Sequence, residues 1–190
     1  VFEQVAAAVA DEVERHAPDV VWTLAWQGGH PEHDLTHLAV VRALRAREAA
    51  TGVATPLYEF PAYELIVVAF RFRPWDRRRR VRIRLTAEEL EAKRAILALY
   101  PSQQAIVDQF RRIVGVLGAA GRPFGKGFTL DDYFGEEEFA EVEHRDYTRS
   151  THVSSRLDYP FDDYEGTPIR FNATLRRIAA AWGLGRSARR

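Results

Sequence analysis

The chain has 190 residues, of which 46% are hydrophobic and 28% are charged, a composition typical of a globular protein with a hydrophobic core. Its 27 basic residues balance 27 acidic residues, so the net charge gives no reason to expect nucleic acid or an anionic membrane as a partner. Because it contains no cysteine, a disulfide scaffold, a thiolate nucleophile and a sulfur-ligated metal site are excluded.

The sequence contains no methionine and begins with Val1 inside a helical pattern, which predicts that a segment normally precedes it. No stretch approaches the roughly 20 apolar residues that a membrane span requires, and no basic-then-apolar signal sequence is visible at the start. We therefore expect a single domain over residues 1–190, in the cytoplasm and without a membrane span.

The first quarter of the chain alternates helical and strand patterns. Apolar residues at helical spacing predict an amphipathic helix over 2–16, and an apolar run at 20–25 predicts a strand covered on both faces in a parallel sheet. After two glycines, a second helix is predicted from about Leu35 to Glu48, with Asp34 as its cap. Helix, strand, glycine loop and helix in this order are typical of an open α/β sheet.

Two further strands are predicted at 53–58 and 64–72, followed by a polar loop from Pro74 to Arg80. From Val81 onward apolar and polar residues alternate, which predicts an edge strand with one solvent-exposed face. The arginines of this region are interpreted as part of a solvated loop and edge strand rather than an anion-binding strip.

A third helix is predicted to begin at Thr86, which is followed by acidic residues that favour a helix N-terminus, and to run to about Leu99. The helical pattern is interrupted at Pro101 and continues to about Leu117. The following segment is predicted to be irregular until a last helix near 172–182.

The segment richest in chemistry is 26–37, which places three histidines and two carboxylates just beyond the first predicted strand, where open α/β sheets bind ligands. Imidazole and carboxylate groups ligate zinc, and a hydrolytic zinc site needs about three protein ligands with one position left for water. His33 and His37 share one helix face if the helix begins by His33. His37 also lies on an apolar stripe, which favours a core role for it. The spacing fixes no third ligand, so a metal site and a structural cluster both stay open.

Three segments carry a family resemblance. Residues 28–34 read GGHPEHD, residues 91–103 read EAKRAILALYPSQ, and residues 146–152 read DYTRSTH. In this order they resemble the signatures G-G-H-P-D-H-D, K-r…Y-x-S-Q and D-F-T-R-P-P-H of the LmbE-like (PIG-L type) zinc-dependent N-acetylglucosaminyl deacetylases. The resemblance extends from about residue 19 to residue 184.

The sequence departs from the family pattern at three places. Glu32 replaces the usual aspartate between the two histidines, and Ser150 and Thr151 replace two prolines. The first family signature, A-H-P-D-D-E, is absent, and no H-P-D-D occurs in the 190 residues. In the family that signature supplies two metal ligands and the general base.

The resemblance implies a Rossmann-like open, mainly parallel sheet with flanking helices, here without its N-terminal strand. It also implies a hydrolase that removes the acetyl group from an N-acetylglucosamine-type sugar conjugate with zinc-activated water. His33 matches a zinc ligand, and His30 matches a catalytic histidine that in its protonated form stabilises the oxyanion or transfers a proton. Asp34 would orient the His33 imidazole. One zinc per chain is expected, with the other ligands in the absent signature, so the 190 residues alone should be inactive.

Asp146, Arg149 and His152 would line the sugar pocket, or would instead form a surface loop tied by salt bridges. The implied partner is a small glycoconjugate substrate, and the sequence is compatible with a homo-oligomer. The alternative to an enzyme is a non-catalytic, sugar-binding relative that kept the fold and lost the first signature.

Overall fold

The computed structural model describes residues 1–28, 30–62, 71–72, 79–125, 127–149, 159, 163–164 and 167–185. Within these ranges the chain forms a mixed α/β structure with an open four-stranded sheet and flanking helices. None of the helices in these ranges has both the length and the apolar character needed to cross a membrane.

The helices and strands occur in the described ranges as follows. The α-helices are α1 (Phe2–His16), α2 (Pro31–Thr51), α3 (Ala87–Ala98), α4 (Gln104–Gly121), α5 (Leu130–Phe134) and α6 (Arg176–Ala181). The strands are β1 (Val21–Leu24), β2 (Leu57–Phe60), β3 (Arg80–Arg84), β4 (Glu136–Glu141), β5 (Asp163–Tyr164) and β6 (Thr167–Pro168). A π-helical turn at Phe171–Leu175 leads into α6.

The sheet has the strand order β1-β2-β4-β3. β1 and β2 are parallel, with Val21 opposite Leu57, whereas β4 is antiparallel to both β2 and β3. The α/β class is therefore confirmed. The expectation of a mainly parallel sheet is wrong for the described four-stranded sheet, because two of its three pairings are antiparallel.

The predicted helices form close to their expected positions. Thr86 caps α3 through a capping box with Glu89, in which each side chain accepts a hydrogen bond from the other residue's backbone N–H. α2 begins at Pro31, one turn before the predicted start, and Gly52 caps its C-terminus after Thr51. Gly52 has a φ of 73°, a left-handed conformation that glycine adopts without steric cost.

Two sequence expectations about strands differ from the structure. The strand predicted at 53–58 begins only at Leu57. The strand β1 was expected to be covered on both faces, but one of its faces exposes Trp22. Residues 64–70 of the next predicted strand and residues 74–78 of the predicted loop lie outside the described ranges, and residues 71–72 are not in a strand.

The strand β4 was not predicted, because its three consecutive glutamates disfavour a strand locally. The structure pairs these carboxylates with cations from other segments. The buried Glu138 accepts hydrogen bonds from Arg82 Nε at 3.0 Å and from the backbone N–H of Phe72 at 2.9 Å, and Glu137 binds Lys93 Nζ at 2.6 Å. β4 is therefore stabilised by cross-strand charge pairing with the arginine-rich edge strand β3.

The hydrophobic core lies between α1, α2 and the sheet face that carries Leu57, and α1 packs directly on α2. Residues after β4 complete the core: Tyr147, Tyr159, Phe171, Leu175, Ala179 and Leu184. The described part of the chain thus places the N-terminus of α2 at the boundary between the core and the carboxyl end of β1.

Replacing Leu38 by alanine tests this core. Leu38 is fully buried on α2, so truncation should lower the free energy of unfolding by about 2–5 kcal/mol. Leu99→Ala is the matched control because Leu99 is 75% exposed, and it should change stability by less than about 0.5 kcal/mol. Urea unfolding measures both. Equal effects of the two substitutions would contradict the assigned core.

Candidate functional site

His30 sits immediately before α2 and caps it. Its Nδ1 accepts a hydrogen bond from the backbone N–H of Glu32 at 3.3 Å, and Pro31 occupies the first helical position, where its missing N–H costs nothing. The helix therefore begins at Pro31 with His30 as its N-cap, and the prediction that Asp34 is its cap is wrong. Because α2 begins before His33, the condition under which His33 and His37 share one helix face is met.

His30 and His33 lie side by side, with ring centroids 4.9 Å apart. Burial lowers the pKa of His33 to about 4, and the neighbouring His30 contributes to this lowering. Burial also lowers the pKa of His30, against the opposing charge of Glu32. Both imidazoles are therefore neutral at pH 7, which is the form that binds metal ions.

The hydrogen bond at His30 also determines its tautomer. Because Nδ1 accepts a hydrogen bond from the backbone N–H of Glu32, the neutral ring carries its own proton on Nε2. The side chain is 22% exposed, so it is partly accessible. In its neutral form His30 is thus a hydrogen-bond donor at Nε2, and the protonated role that the family resemblance implies stays a prediction.

Asp34 is buried and holds the turn that precedes His30. Its Oδ1 accepts the backbone N–H groups of Gln27 and Gly28, each at 3.2 Å, and its Oδ2 accepts the hydroxyl of Tyr159 at 2.8 Å. Burial raises the pKa of Asp34 to about 7, although these three hydrogen bonds oppose the rise. Asp34 therefore shapes the turn, and the role in orienting His33 stays a prediction.

His37 lies one turn beyond His33 and is completely buried. Its Nδ1 donates to the carbonyl oxygen of Leu24 at 2.8 Å, and its Nε2 is 3.0 Å from the hydroxyl of Tyr147. These contacts agree with the core role predicted for it, and they connect the end of β1 to a segment more than 100 residues later.

Glu59 is a buried carboxylate that the sequence analysis did not select. It accepts the backbone N–H of Trp26 at 3.1 Å and a hydrogen bond from Arg145 Nη2 at 2.7 Å, and its Oε2 is 3.7 Å from His37 Nδ1. The sequence signal that could have identified Glu59 is a glutamate at an inward-facing position of the short strand β2. Glu59 follows the inward-facing Leu57 by two residues and lies opposite Ala140 of the neighbouring strand β4. A charged residue at such a position requires buried partners.

The third signature segment is joined to this region through Tyr147. Asp146 accepts the backbone N–H of Thr148 at 3.0 Å, and its carboxylate is 4.0 Å from Arg149 Nε. Arg149 has a 78% exposed side chain. These contacts build a local turn, so a pocket role for Asp146 and Arg149 stays a prediction. His152, the third predicted pocket residue, lies outside the described residues.

The second signature segment has different surroundings. Lys93 donates to the carbonyl oxygen of Phe134 at 3.0 Å and to Glu137, so it links α3 to α5 and β4. These contacts belong to the part of the sheet near β3, at the opposite edge from β1. The structure therefore connects the third segment to α2 through His37, one turn beyond His33, and gives Lys93 a structural link elsewhere.

Two neutral imidazoles match the donor type that zinc prefers, and His33 is the residue suited to ligation because it is neutral over the whole physiological range. Within the described ranges, no group of three or more histidine, aspartate or glutamate side chains is arranged to hold a metal ion.

No protein-family model, no curated protein and no solved structure matches the chain. A functional proposal therefore depends on the site residues and on the three signature segments. Of these, the segment 28–34 has the most specific structural context, because its His30 caps α2 in the connection that follows the carboxyl end of β1.

The buried Asp34 predicts a pH dependence of stability. An aspartate ionises near pH 3.8 ordinarily and near 7 here, so the folded state retains a proton that the unfolded state has lost. Stability should therefore fall as pH rises from about 4 to 7. In chelator-treated protein, Asp34→Asn should gain stability relative to the unmodified chain by up to about 1.4 kcal/mol for each pH unit in this window.

The control for this measurement is Asp11→Asn, which removes an exposed carboxylate from α1. Urea unfolding at several pH values between 4 and 7.5 gives the difference directly. A constant stability difference between Asp34→Asn and the unmodified chain across this range would show that Asp34 does not titrate as described.

Proposed function

We propose that the chain is part of a zinc-dependent hydrolase that removes the acetyl group from an N-acetylglucosamine-type sugar conjugate. The observation that carries the proposal is the pair of neutral imidazoles, His30 and His33, at the N-terminus of α2 and beyond the carboxyl end of β1. The sequence around them resembles the second signature of the deacetylase family. The third signature segment is bonded to α2 one turn further on, through Tyr147 and His37.

His33 would contribute an imidazole ligand to zinc, and the remaining ligands would come from the family's first signature. When bound, zinc supplies a Lewis acid and lowers the pKa of water, which makes a nucleophile available near neutral pH. The general base also belongs to the first signature in the family. The 190 residues therefore carry one ligand and one auxiliary histidine, and on their own they should be inactive.

The arrangement of β1 suggests where the first signature would lie. β1 stands at the end of the strand order in the described sheet, and α1, which precedes it, packs on α2. A strand ahead of α1 would form a β-α-β unit with β1 and pair parallel to its outer edge. Its carboxyl end would then lie beside His30, as in a Rossmann-like sheet. This finer fold assignment is part of the proposal.

His30 would act on the oxygen of the substrate acetamide. Nε2–H would donate a hydrogen bond to that oxygen as negative charge develops on it, and the N-terminal dipole of α2 would favour the same charge. Water adds to the carbonyl carbon, the C–N bond breaks, and the amine leaves with a proton. The products are acetate and a free amino sugar. Asp146, Arg149 and His152 would bind sugar hydroxyls.

Metal binding tests the assignment of His33. In the full-length protein we expect one zinc per chain, and His33→Ala should weaken its binding by about 100-fold or more, since even outer partners of ligands contribute 10–100-fold. Chelator competition followed by elemental analysis measures the affinity. His16→Ala is the matched control because His16 is an exposed histidine on α1. Unchanged zinc affinity in His33→Ala would refute the ligand assignment.

Turnover tests the assignment of His30. His30→Ala should retain zinc and lower kcat by about 100- to 1,000-fold, because it removes a donor to the developing oxyanion. Acetate release from a panel of N-acetylglucosaminyl conjugates by the full-length protein gives kcat. A kcat close to that of the unmodified enzyme would exclude His30 from the reaction.

A second candidate function is a non-catalytic, sugar-binding protein. It is favoured by one observation, the absence of any H-P-D-D sequence from the 190 residues. In this case the full-length protein would bind the conjugates without releasing acetate. The same panel, measured by both binding and acetate release, separates the two functions.

A further inference from the structure

One buried side chain, Glu59, bonds to residues that flank the first and third signature segments, Trp26 on one side and Arg145 on the other. This residue is completely buried on β2, and neither segment contains it. Its two carboxylate oxygens bind different parts of the chain. Oε2 accepts the backbone N–H of Trp26, and Oε1 accepts a hydrogen bond from Arg145.

The Oε2 side holds the start of the turn that leads to His30. Trp26 is the first of three consecutive residues whose backbone N–H groups bind buried carboxylates, since the N–H groups of Gln27 and Gly28 bind Asp34. Glu59 Oε2 is also 3.7 Å from His37 Nδ1 on α2. A displacement of this oxygen would therefore move the turn relative to the helix that carries His33.

The Oε1 side holds the segment 145–149. Arg145 Nη2 is 2.7 Å from Glu59 Oε1, and Arg145 directly precedes Asp146. The neighbouring Tyr147 places its hydroxyl 3.0 Å from His37 Nε2, and the Arg145 guanidinium lies 5.9 Å from the Tyr147 ring centroid. The segment is thus tied to both β2 and α2 beside the same carboxylate.

We propose that Glu59 is a positioning residue that sets the geometry of the His30 turn relative to the segment 145–149. The inference rests on the proposed function, in which these two parts supply the auxiliary histidine and the sugar-binding residues. A buried carboxylate that bonds to a backbone N–H on one side and to a guanidinium on the other fixes both in direction as well as in distance. Neither partner alone would align the two segments.

The two sides of Glu59 can be separated by substitution. Arg145→Met removes the Arg145 hydrogen bond to Oε1 and leaves the Trp26 contact, so KM should rise about tenfold with kcat within about threefold of the unmodified enzyme. Glu59→Gln has a single side-chain oxygen for two donors, so it should lower kcat about 10- to 100-fold and also raise KM.

The double variant Glu59→Gln/Arg145→Met gives the decisive comparison. It removes both members of the ion pair, so no buried charge is left unpartnered by the substitution itself. Its amide oxygen is free to accept the Trp26 N–H, so kcat should recover toward that of Arg145→Met while KM stays high. Glu143→Gln, an exposed glutamate two residues before Arg145, is the matched control and should change neither constant.

Amide hydrogen exchange of the full-length protein tests positioning independently of activity. Glu59→Gln should accelerate exchange in both 26–28 and 145–149, and Arg145→Met only in 145–149. Unchanged exchange in both regions would overturn the inference, as would loss of kcat in the double variant equal to the product of the single losses. If exchange changes as expected while the unmodified protein releases no acetate, the positioning role is supported and the deacetylase proposal fails.

Discussion

The junction between β1 and α2 depends on two buried carboxylates that bind its backbone. Beyond the last residue of β1, the N–H groups of Trp26, Gln27 and Gly28 turn inward, where an unbonded N–H would be costly. Glu59 and Asp34 accept all three. The buried carboxylates need donors as much as the backbone needs acceptors, so each satisfies the other and the turn is held in one conformation.

The same burial sets the chemistry of the neighbouring histidines. Desolvation disfavours whichever form of a group is charged, so it raises the pKa of Asp34 to about 7 and lowers that of His33 to about 4. One environment therefore provides a neutral imidazole and a carboxyl group that changes charge near neutrality. Perturbed groups of opposite type clustered at the carboxyl end of a strand are a frequent feature of functional sites, although structural networks produce them too.

The sequence predicted those parts of the fold that local signals determine. The helix start at Thr86, the amphipathic α1 and the edge position of β3 depend on neighbouring residues, and all three are present. The expectation that β3 has only one solvent-exposed face is wrong, because Val81 and Ile83 on its apolar face are 50% and 48% exposed. The strand β4 and the role of Glu59 depend on partners distant along the chain, such as Lys93 for Glu137 and Arg145 for Glu59, so no local pattern reveals them.

The candidate site also combines features that local sequence reveals with features that depend on residues distant along the chain. The pattern 28–34 identified His30 and His33, but it assigned the helix cap to Asp34, because histidine is not a usual capping residue. Asp34 instead bonds to Tyr159, 125 residues away. Hydrophobic side chains in place of the buried polar groups around Asp34 and Glu59 could give a fold of comparable stability, since buried ion pairs seldom add to stability. The structure has instead a polar network whose hydrogen bonds fix directions, and such a network is useful where two separate segments must be aligned for binding or catalysis.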